Sequence, residues 1–197
     1  MKRLLFVLLI AFPLFAADVE VGVDHVITIM HGDPKFDGGE LEVRTSRGFT
    51  ASAEMFFSPR VSTRFTAMFI NPVAFVNDID LNTLGMDIYG ASARYHFEPR
   101  AHFSPFVGAG VAYVSFGNLE ERFADDIEME VDARTTFFAE GGVRYQFYPR
   151  LFFHGTVTYM PLEGDVRVIH NARPDVALPR QIELNPMTIS AGASWRF

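Results

Sequence analysis

The chain has 197 residues, with 17 basic and 24 acidic side chains and a formal net charge of −7. A hydrophobic fraction of 49% and an aromatic fraction of 14% exclude a disordered chain, and the net negative charge argues against a nucleic-acid-binding protein. Because cysteine is absent, a disulfide scaffold, a thiolate metal site and a cysteine nucleophile are excluded as well.

The first element in chain order is a short apolar segment. Lys2 and Arg3 precede an apolar run that ends at Ala17, and this run is shorter than the ~20 residues that a transmembrane helix needs. A basic start, a short apolar core and small residues at its end are typical of a secretory signal peptide. We therefore predict a signal peptide over residues 1–16 and an exported β-barrel over residues 17–197.

Three copies of the tetrapeptide Phe-x-Pro-Arg divide the rest of the chain. They occupy residues 57–60, 97–100 and 147–150, and each indicates a turn because proline cannot donate to a strand ladder. Apolar residues beside these turns fall on odd-numbered positions, and charged residues fall on even-numbered positions. This period of two over eight segments predicts eight half-buried strands, with Phe57 paired to Val61 across the first turn.

Two features indicate a membrane barrel rather than a soluble one. The proline-marked turns are mostly tight, whereas the connections at 30–39, 71–83, 117–131 and 161–184 are long, which is the pattern of outer-membrane barrels. Aromatic residues of the odd-numbered face also cluster beside the turns, as an interfacial girdle does. We predict an all-β fold, an eight-stranded antiparallel transmembrane β-barrel that is monomeric and lies in the bacterial outer membrane. The girdle residues are Phe57, Tyr95, Phe97, Tyr145, Phe147, Phe153, Trp195 and Phe197.

The even-numbered face of such a barrel points into the lumen. Pairing across the first turn places Glu54 opposite Arg64, and pairing across the third turn places Arg144 opposite His154. Buried charges are costly unless they are paired, and side chains can fill an eight-stranded barrel. We therefore predict a charged plug near the end of the barrel that carries the proline-marked turns, with a structural role rather than a catalytic one. Its residues are Glu54, Arg64, Arg94, Glu140, Arg144 and His154, with Glu20 and Asp24 nearby.

Further from the turns, the even-numbered positions become apolar. An apolar lumen above a charged plug predicts a pocket that is open to the outside and binds small apolar solutes, and methionine suits variable apolar ligands because it is flexible and polarisable. Simple packing of a narrow barrel would require the same residue types, so both interpretations stay open. The positions are Met68, Ile70, Met86, Ile88, Phe116, Phe138 and Met160.

The end of the chain resembles the C-terminal assembly signal of bacterial outer-membrane barrels. That signal has a glycine and aromatic residues at the last and third-last positions, and Gly192, Trp195 and Phe197 match it. The resemblance implies the barrel-assembly machinery as a partner. Outer-membrane lipid and lipopolysaccharide are the other partners expected of a protein in this membrane.

The chain also resembles the OmpW family of eight-stranded barrels. The similar segments are residues 104–113, residues 141–145 and the ending from Pro186 to Phe197. This resemblance implies small hydrophobic solutes as ligands and an apolar upper lumen, and it carries no catalytic constellation over to this chain.

No enzyme, metal site or cofactor is predicted. The six histidines show no metal-ligand spacing, and Gly108-Ala109-Gly110 lies within a predicted strand rather than before a helix, unlike a phosphate loop. Two functions remain. The first is a barrel that binds or passes small hydrophobic solutes through an apolar outer lumen. The second is a structural or surface-interaction barrel with a filled lumen and functional extracellular loops.

Overall fold

The computed structural model describes residues 18–30, 35–36, 39–43, 45–76, 79–83, 85–99, 101–117, 127–170, 173–183 and 185–197, so the predicted signal peptide lies outside the described residues. Within the described ranges, no helix is long and apolar enough to cross a membrane. The strands in chain order are β1 (Asp18–Met30), β2 (Lys35–Phe36), β3 (Gly39–Val43), β4 (Ser46–Ser58), β5 (Val61–Ile70), β6 (Val73–Val76), β7 (Ile79–Thr83), β8 (Met86–His96), β9 (Phe103–Phe116), β10 (Ile127–Val131), β11 (Arg134–Gln146), β12 (Leu151–Tyr159), β13 (Glu163–His170), β14 (Arg173–Glu183) and β15 (Pro186–Arg196).

Eight of these strands close into an antiparallel barrel. Their order around the wall is β1-β15-β12-β11-β9-β8-β5-β4, and β4 pairs with β1 to complete the circle. The first and last barrel strands pair from Glu20↔Arg196 to Met30↔Pro186. The backbone N–H of Phe197 extends this seam by donating to the carbonyl oxygen of Val19 at 2.9 Å. The predicted eight-stranded antiparallel barrel is therefore confirmed.

The long connections, which were predicted as loops, contain further strands in their described parts. Strands β10, β13 and β14 form one three-stranded sheet, and β2, β3, β6 and β7 form a four-stranded one. The prediction of loops was wrong because segments such as 163–170 keep the alternation of apolar and polar residues beyond the barrel wall. We call the side of the barrel with these connections the loop end, and the opposite side the turn end.

The first turn differs from the prediction. Ser58, not Phe57, pairs with Val61, because a register shift lies between Phe56 and Ser58. The Ser58 hydroxyl oxygen accepts hydrogen bonds from the backbone N–H groups of Arg60 and Val61, at 3.3 and 3.1 Å. This side-chain-to-backbone capping fixes the turn, and Phe57 becomes the extra residue of a β-bulge.

Beyond this bulge, the predicted register and facing are confirmed. Glu54 pairs with Arg64, and Arg144 pairs with His154. Even-numbered side chains of the barrel strands point inward and odd-numbered ones point outward: on β1, Asp24 is 1% exposed whereas Val23 is 61% exposed. Buried charges beside exposed valines are the reverse of a soluble protein and are typical of an apolar surface that faces lipid.

The outer face carries aromatic residues in two bands. The band at the turn end is the predicted girdle, and the second band, at the loop end, was not predicted. Eight residues separate Phe49 from Phe57, which corresponds to roughly 20 Å along the axis for strands tilted by about 40°. This matches the apolar band of about 25 Å between the two girdles of outer-membrane barrels. The second band consists of Phe49, Phe69, Tyr89, Tyr113, Phe137 and Tyr159.

Candidate functional site

The lumen is divided into three layers along the barrel axis. The aromatic floor, at the turn end, consists of Phe56, His96, Phe106 and Phe152. The charge layer above it consists of Glu20, Asp24, Glu54, Arg64, Arg94, Glu140, Arg144, His154 and Arg196. The apolar cluster, toward the loop end, consists of Val26, Met68, Ile70, Met86, Ile88, Ala112, Val114, Phe138, Met160 and Leu162.

The aromatic floor underlies the cations of the charge layer. Its His96 ring lies 5.3 Å from the Phe56 ring and 5.7 Å from the Phe106 ring, measured between centroids. The guanidinium carbon of Arg94 lies 4.2 Å from the centroid of Phe106, which is cation–π distance. This layer was not predicted, although the even numbers of its residues already place their side chains inward.

Arg94 joins two carboxylates at the centre of the charge layer. Its Nε and Nη2 donate to Oε1 and Oε2 of Glu140 at 2.8 and 2.6 Å, and its Nη1 donates to Oε2 of Glu54 at 3.1 Å. The hydroxyls of Ser92 and Ser62 donate to Glu140 Oε1 at 2.6 Å and to Glu54 Oε1 at 2.5 Å. The bidentate contact is the strongest geometry for an arginine–carboxylate pair, and both carboxylates are well satisfied.

Glu20 is the centre of a second network at the seam between β1 and β15. Its Oε1 accepts from Nη2 of Arg144 at 2.6 Å, and from Nη2 and Nε of Arg196 at 2.6 and 2.9 Å. Its Oε2 accepts from the Ser194 hydroxyl at 3.2 Å. The network therefore links β1 to its wall neighbour β15 and, across the lumen, to β11.

Asp24 is the third acceptor of the layer. Arg64 Nη2 donates to its Oδ2 at 2.6 Å, and His154 Nε2 contacts its Oδ1. Glu54 and Arg64 pair in the strand register but make their ion pairs with Arg94 and Asp24 instead. Long inward side chains converge near the barrel axis, so a partner across the lumen can be closer than the neighbour on the next strand.

The predicted plug residues are therefore brought together, with Arg196 as an addition that the sequence analysis did not assign. Four carboxylates face four guanidinium groups in this layer, and every carboxylate has an arginine partner. The space left between the side chains is about 10 Å³, close to the minimum that holds one water molecule. In the described parts of the chain, no cluster of three or more His, Asp or Glu side chains is arranged to hold a metal ion.

The predicted apolar positions also lie together, on the other side of the charge layer. Met86 and Ile88 are 0% and 3% exposed, and Phe116 packs against the cluster from a partly buried position. A cavity of about 30 Å³ lies where the apolar cluster meets the charge layer. It has room for about one or two water molecules, so a larger solute can enter only if side chains move. Met68, Ile88, Phe138 and Met160 line its apolar side.

The three residues of the resembled assembly signal have different surroundings. Trp195 and Phe197 lie on the outer face at the turn end, 45% and 73% exposed. Gly192 faces the lumen, where a Cβ atom would overlap with the Val23 carbonyl oxygen and the Asp24 carboxylate. The glycine is therefore required by close approach of β1, whatever else the motif does.

A closed eight-stranded barrel with buried charges, an exposed apolar belt and two aromatic girdles defines a bacterial outer-membrane β-barrel protein, with membrane lipid around the belt. The model of the OmpW family matches residues 12–197, and the chain belongs to the OmpW family.

Solved structures support the same fold. The chain is similar to the outer membrane protein OprG from Pseudomonas aeruginosa, with a TM-score of 0.79 and 17% identity over 92% of this chain and 96% of that chain. It is similar to the outer membrane protein AlkL in DMPC lipid bilayers, with a TM-score of 0.66 and 20% identity over 91% and 90%. It is also similar to the E. coli outer membrane protein W, with a TM-score of 0.54 and 15% identity over 90% and 97%. No curated protein sequence matches the chain.

Proposed function

We propose that this barrel takes up small hydrophobic solutes from outside into its apolar outer lumen and releases them sideways into the membrane. The observation that carries the proposal is the position of the apolar cluster, directly above a charge layer that fills the lumen. The OmpW resemblance, which implies small hydrophobic solutes as ligands, supports the same function.

The charge layer gives the direction of transport in this proposal. A solute that continued toward the turn end would have to separate Arg94 from Glu54 and Glu140, which are buried ion pairs, and leave charges uncompensated. An apolar solute also cannot replace the hydrogen bonds that it would break. Release sideways at the height of the apolar cluster leaves these buried ion pairs intact.

The side chains of the apolar cluster suit a solute of variable shape. Met68, Met86 and Met160 belong to the cluster, and methionine has three rotatable bonds and a polarisable sulfur. Rotation of these side chains would enlarge the cavity of about 30 Å³ without disturbing the hydrogen bonds of the wall.

Charged side chains in the apolar cluster should abolish uptake. We expect cells that make the wild-type barrel to take up n-octane several-fold faster than cells that lack it. The double variant Met86→Arg/Ile88→Arg should reduce uptake to the level of cells without the protein, because an apolar solute would then meet unpaired charges. The measurement is the initial rate of n-octane uptake at equal amounts of folded barrel.

The matched control is Met86→Leu/Ile88→Leu, which keeps the volume and apolar character of the site and should retain most of the uptake. Equal n-octane uptake by cells with and without the wild-type protein, repeated with several apolar solutes, would contradict the proposal.

A second candidate function is a structural or surface-interaction barrel. Its supporting observation is the tight packing of the apolar cluster, in which Met86, Val114 and Leu162 are each 0% exposed, together with the sheets formed by the long connections. In that case the loops carry the function and the lumen is filled only for stability. If the protein keeps its function after these connections are exchanged for those of another barrel, that result would count against this second candidate function.

We also propose that Phe197 is read by the barrel-assembly machinery. Phe197→Ala should lower the amount of folded barrel in cell membranes several-fold and leave spontaneous folding into detergent unchanged. Spontaneous folding should be unchanged because the Phe197 ring is 73% exposed. Alanine also keeps the backbone hydrogen bond to the Val19 carbonyl oxygen. The control is Phe103→Ala, which removes another exposed aromatic ring from the same rim. An equal loss for both variants in cells would exclude a specific signal.

A further inference from the structure

The two halves of the barrel wall line the outer lumen with different chemistry. Strands β5, β8, β9 and β11 are contiguous in the wall and carry apolar inward residues, namely Met68, Ile70, Met86, Ile88, Ala112, Val114 and Phe138. Strands β4, β1, β15 and β12 form the other half. Their inward positions at this height carry hydroxyl groups, namely Ser46, Thr50, Thr28, Thr188, Ser190, Thr156 and Thr158. Val26, Met30, Met160 and Pro186 in the second half, and Thr66 and Thr136 in the first, depart from this division. We call the two surfaces the apolar half and the hydroxyl half.

Several groups of the hydroxyl half are buried without a partner. The side-chain oxygens of Thr28, Ser46, Thr50 and Thr156 have no hydrogen-bond partner among the described residues, although these residues are 0%, 5%, 3% and 4% exposed. A buried hydroxyl without a hydrogen bond is costly, so it favours a ligand that supplies one. All four lie on β1, β4 and β12.

Two of these hydroxyls meet the apolar half at one cavity. Thr50 and Thr156 line the cavity at the base of the apolar cluster, together with Met68, Phe138 and Met160. The wall of the cavity therefore combines unsatisfied hydrogen-bonding groups with apolar surface. A ligand that satisfies both sides carries a polar group and an apolar chain.

The charges at the base of the cavity indicate that the polar group is neutral. Asp24, Arg64 and Glu140 also line the cavity, but each is already in an ion pair, Asp24 with Arg64 and Glu140 with Arg94. A charged ligand would have to break one of these pairs or remain unpaired in a buried site. A hydroxyl or carbonyl group needs only the free hydroxyls of Thr50 and Thr156.

We propose that the preferred solute is a small neutral amphipathic molecule, such as an alcohol or ketone with an alkyl chain. Its polar group bonds to Thr50 and Thr156, and its chain lies along the apolar half. The inference rests on the proposed function of the lumen and names the class of solute. It distinguishes these molecules from plain hydrocarbons and from carboxylates of the same length.

The test compares 1-octanol with n-octane on the purified barrel in lipid nanodiscs. The methionines carry ¹³C-labelled methyl groups, and the dissociation constants are obtained from the methyl shifts of Met68 and Met160. Thr50→Val/Thr156→Val should lower the octanol-to-octane affinity ratio about tenfold relative to wild type, as expected for the loss of hydrogen bonds to a buried ligand. Comparison of ratios in the same nanodiscs removes the effect of probe partition into lipid.

Valine keeps the shape of threonine and removes only a hydroxyl that has no partner, so the double variant should fold at least as well as wild type. The octanol-to-octane affinity ratio is also measured for the two single variants, in which we expect smaller changes. These single variants provide the test if the double variant does not fold. The matched control is Thr135→Val on the exposed outer face, which should leave the ratio unchanged.

Each outcome separates the inference from the proposed function. If both probes bind and the ratio is unchanged in the variants, the hydroxyls bind only water and the inference is overturned, while the proposed function stands. Tighter binding of octanoate than of 1-octanol would overturn the inference that the polar group of the solute is neutral. If no methyl shift occurs with either probe, the proposed function fails and the inference fails with it.

Discussion

Replacing Arg94 with methionine is expected to lower the free energy of unfolding of the barrel by about 3–5 kcal/mol. Arg94 is the arginine that contacts both Glu54 and Glu140, and it is 3% exposed. Methionine retains most of the volume of the side-chain stem, so the loss comes from two buried carboxylates that lose their cation. Urea titration in lipid vesicles, followed by the fluorescence of the single tryptophan, measures it.

Two further variants show whether the charges cause the loss. Arg150→Met replaces an exposed arginine at the third turn and should change the free energy of unfolding by less than about 0.5 kcal/mol. Adding Glu54→Gln and Glu140→Gln to Arg94→Met should recover a large part of the stability, because the neutral amides do not require a buried cation. A urea midpoint for Arg94→Met equal to that of wild type would mean that the charge layer does not stabilise the barrel.

Gly192→Ala is expected to cost about 3 kcal/mol or more, through overpacking. Gly192 pairs with Asp24 at the seam of the barrel, and a Cβ atom would lie 2.6 Å from the Asp24 Cα and overlap with the Val23 carbonyl oxygen. Backbone atoms of β1 can move away only if β1 separates from β15, which also disturbs the ion pair of Asp24 with Arg64.

The matched control for this variant lies on the adjacent strand. Gly155 faces outward beside Ala191, and a Cβ atom there would meet only the Ser190 carbonyl oxygen at 3.8 Å, so Gly155→Ala should be tolerated. Both variants should be refolded into detergent without any assembly machinery. Normal refolding of Gly192→Ala in detergent, combined with failure in cells, would mean that the glycine acts only as part of an assembly signal.

The barrel wall could be predicted from the sequence because side-chain facing depends on a period of two, which Glu54 and Phe57 already show on one strand. The bulge at Phe57 could not, because it depends on hydrogen bonds from the turn backbone to the Ser58 hydroxyl rather than on polarity. The aromatic floor was within reach of the same rule, since Phe56 and Phe152 have even numbers.

The even-numbered positions predicted which residues form the charge layer, but not which of these residues form ion pairs with one another. Arg64 bonds to Asp24 rather than to its register neighbour, because the reach of an arginine across the lumen depends on the closed wall. The hydroxyl half likewise becomes visible only once closure places β1 between β4 and β15. Single strands carry no information about which three neighbours will share one side of the lumen.

The seam between β1 and β15 also has a consequence for the order of folding. Glu20 finds its partners Arg144, Ser194 and Arg196 at sequence separations of 124, 174 and 176 residues. Contacts of such high contact order form late and slowly, and until they form β1 presents an open edge and Glu20 lacks its cations. The seam therefore cannot close before the final strand, β15, has been synthesised. The last strand thus completes both the wall and the charge layer, because Ser194 and Arg196 supply partners of Glu20.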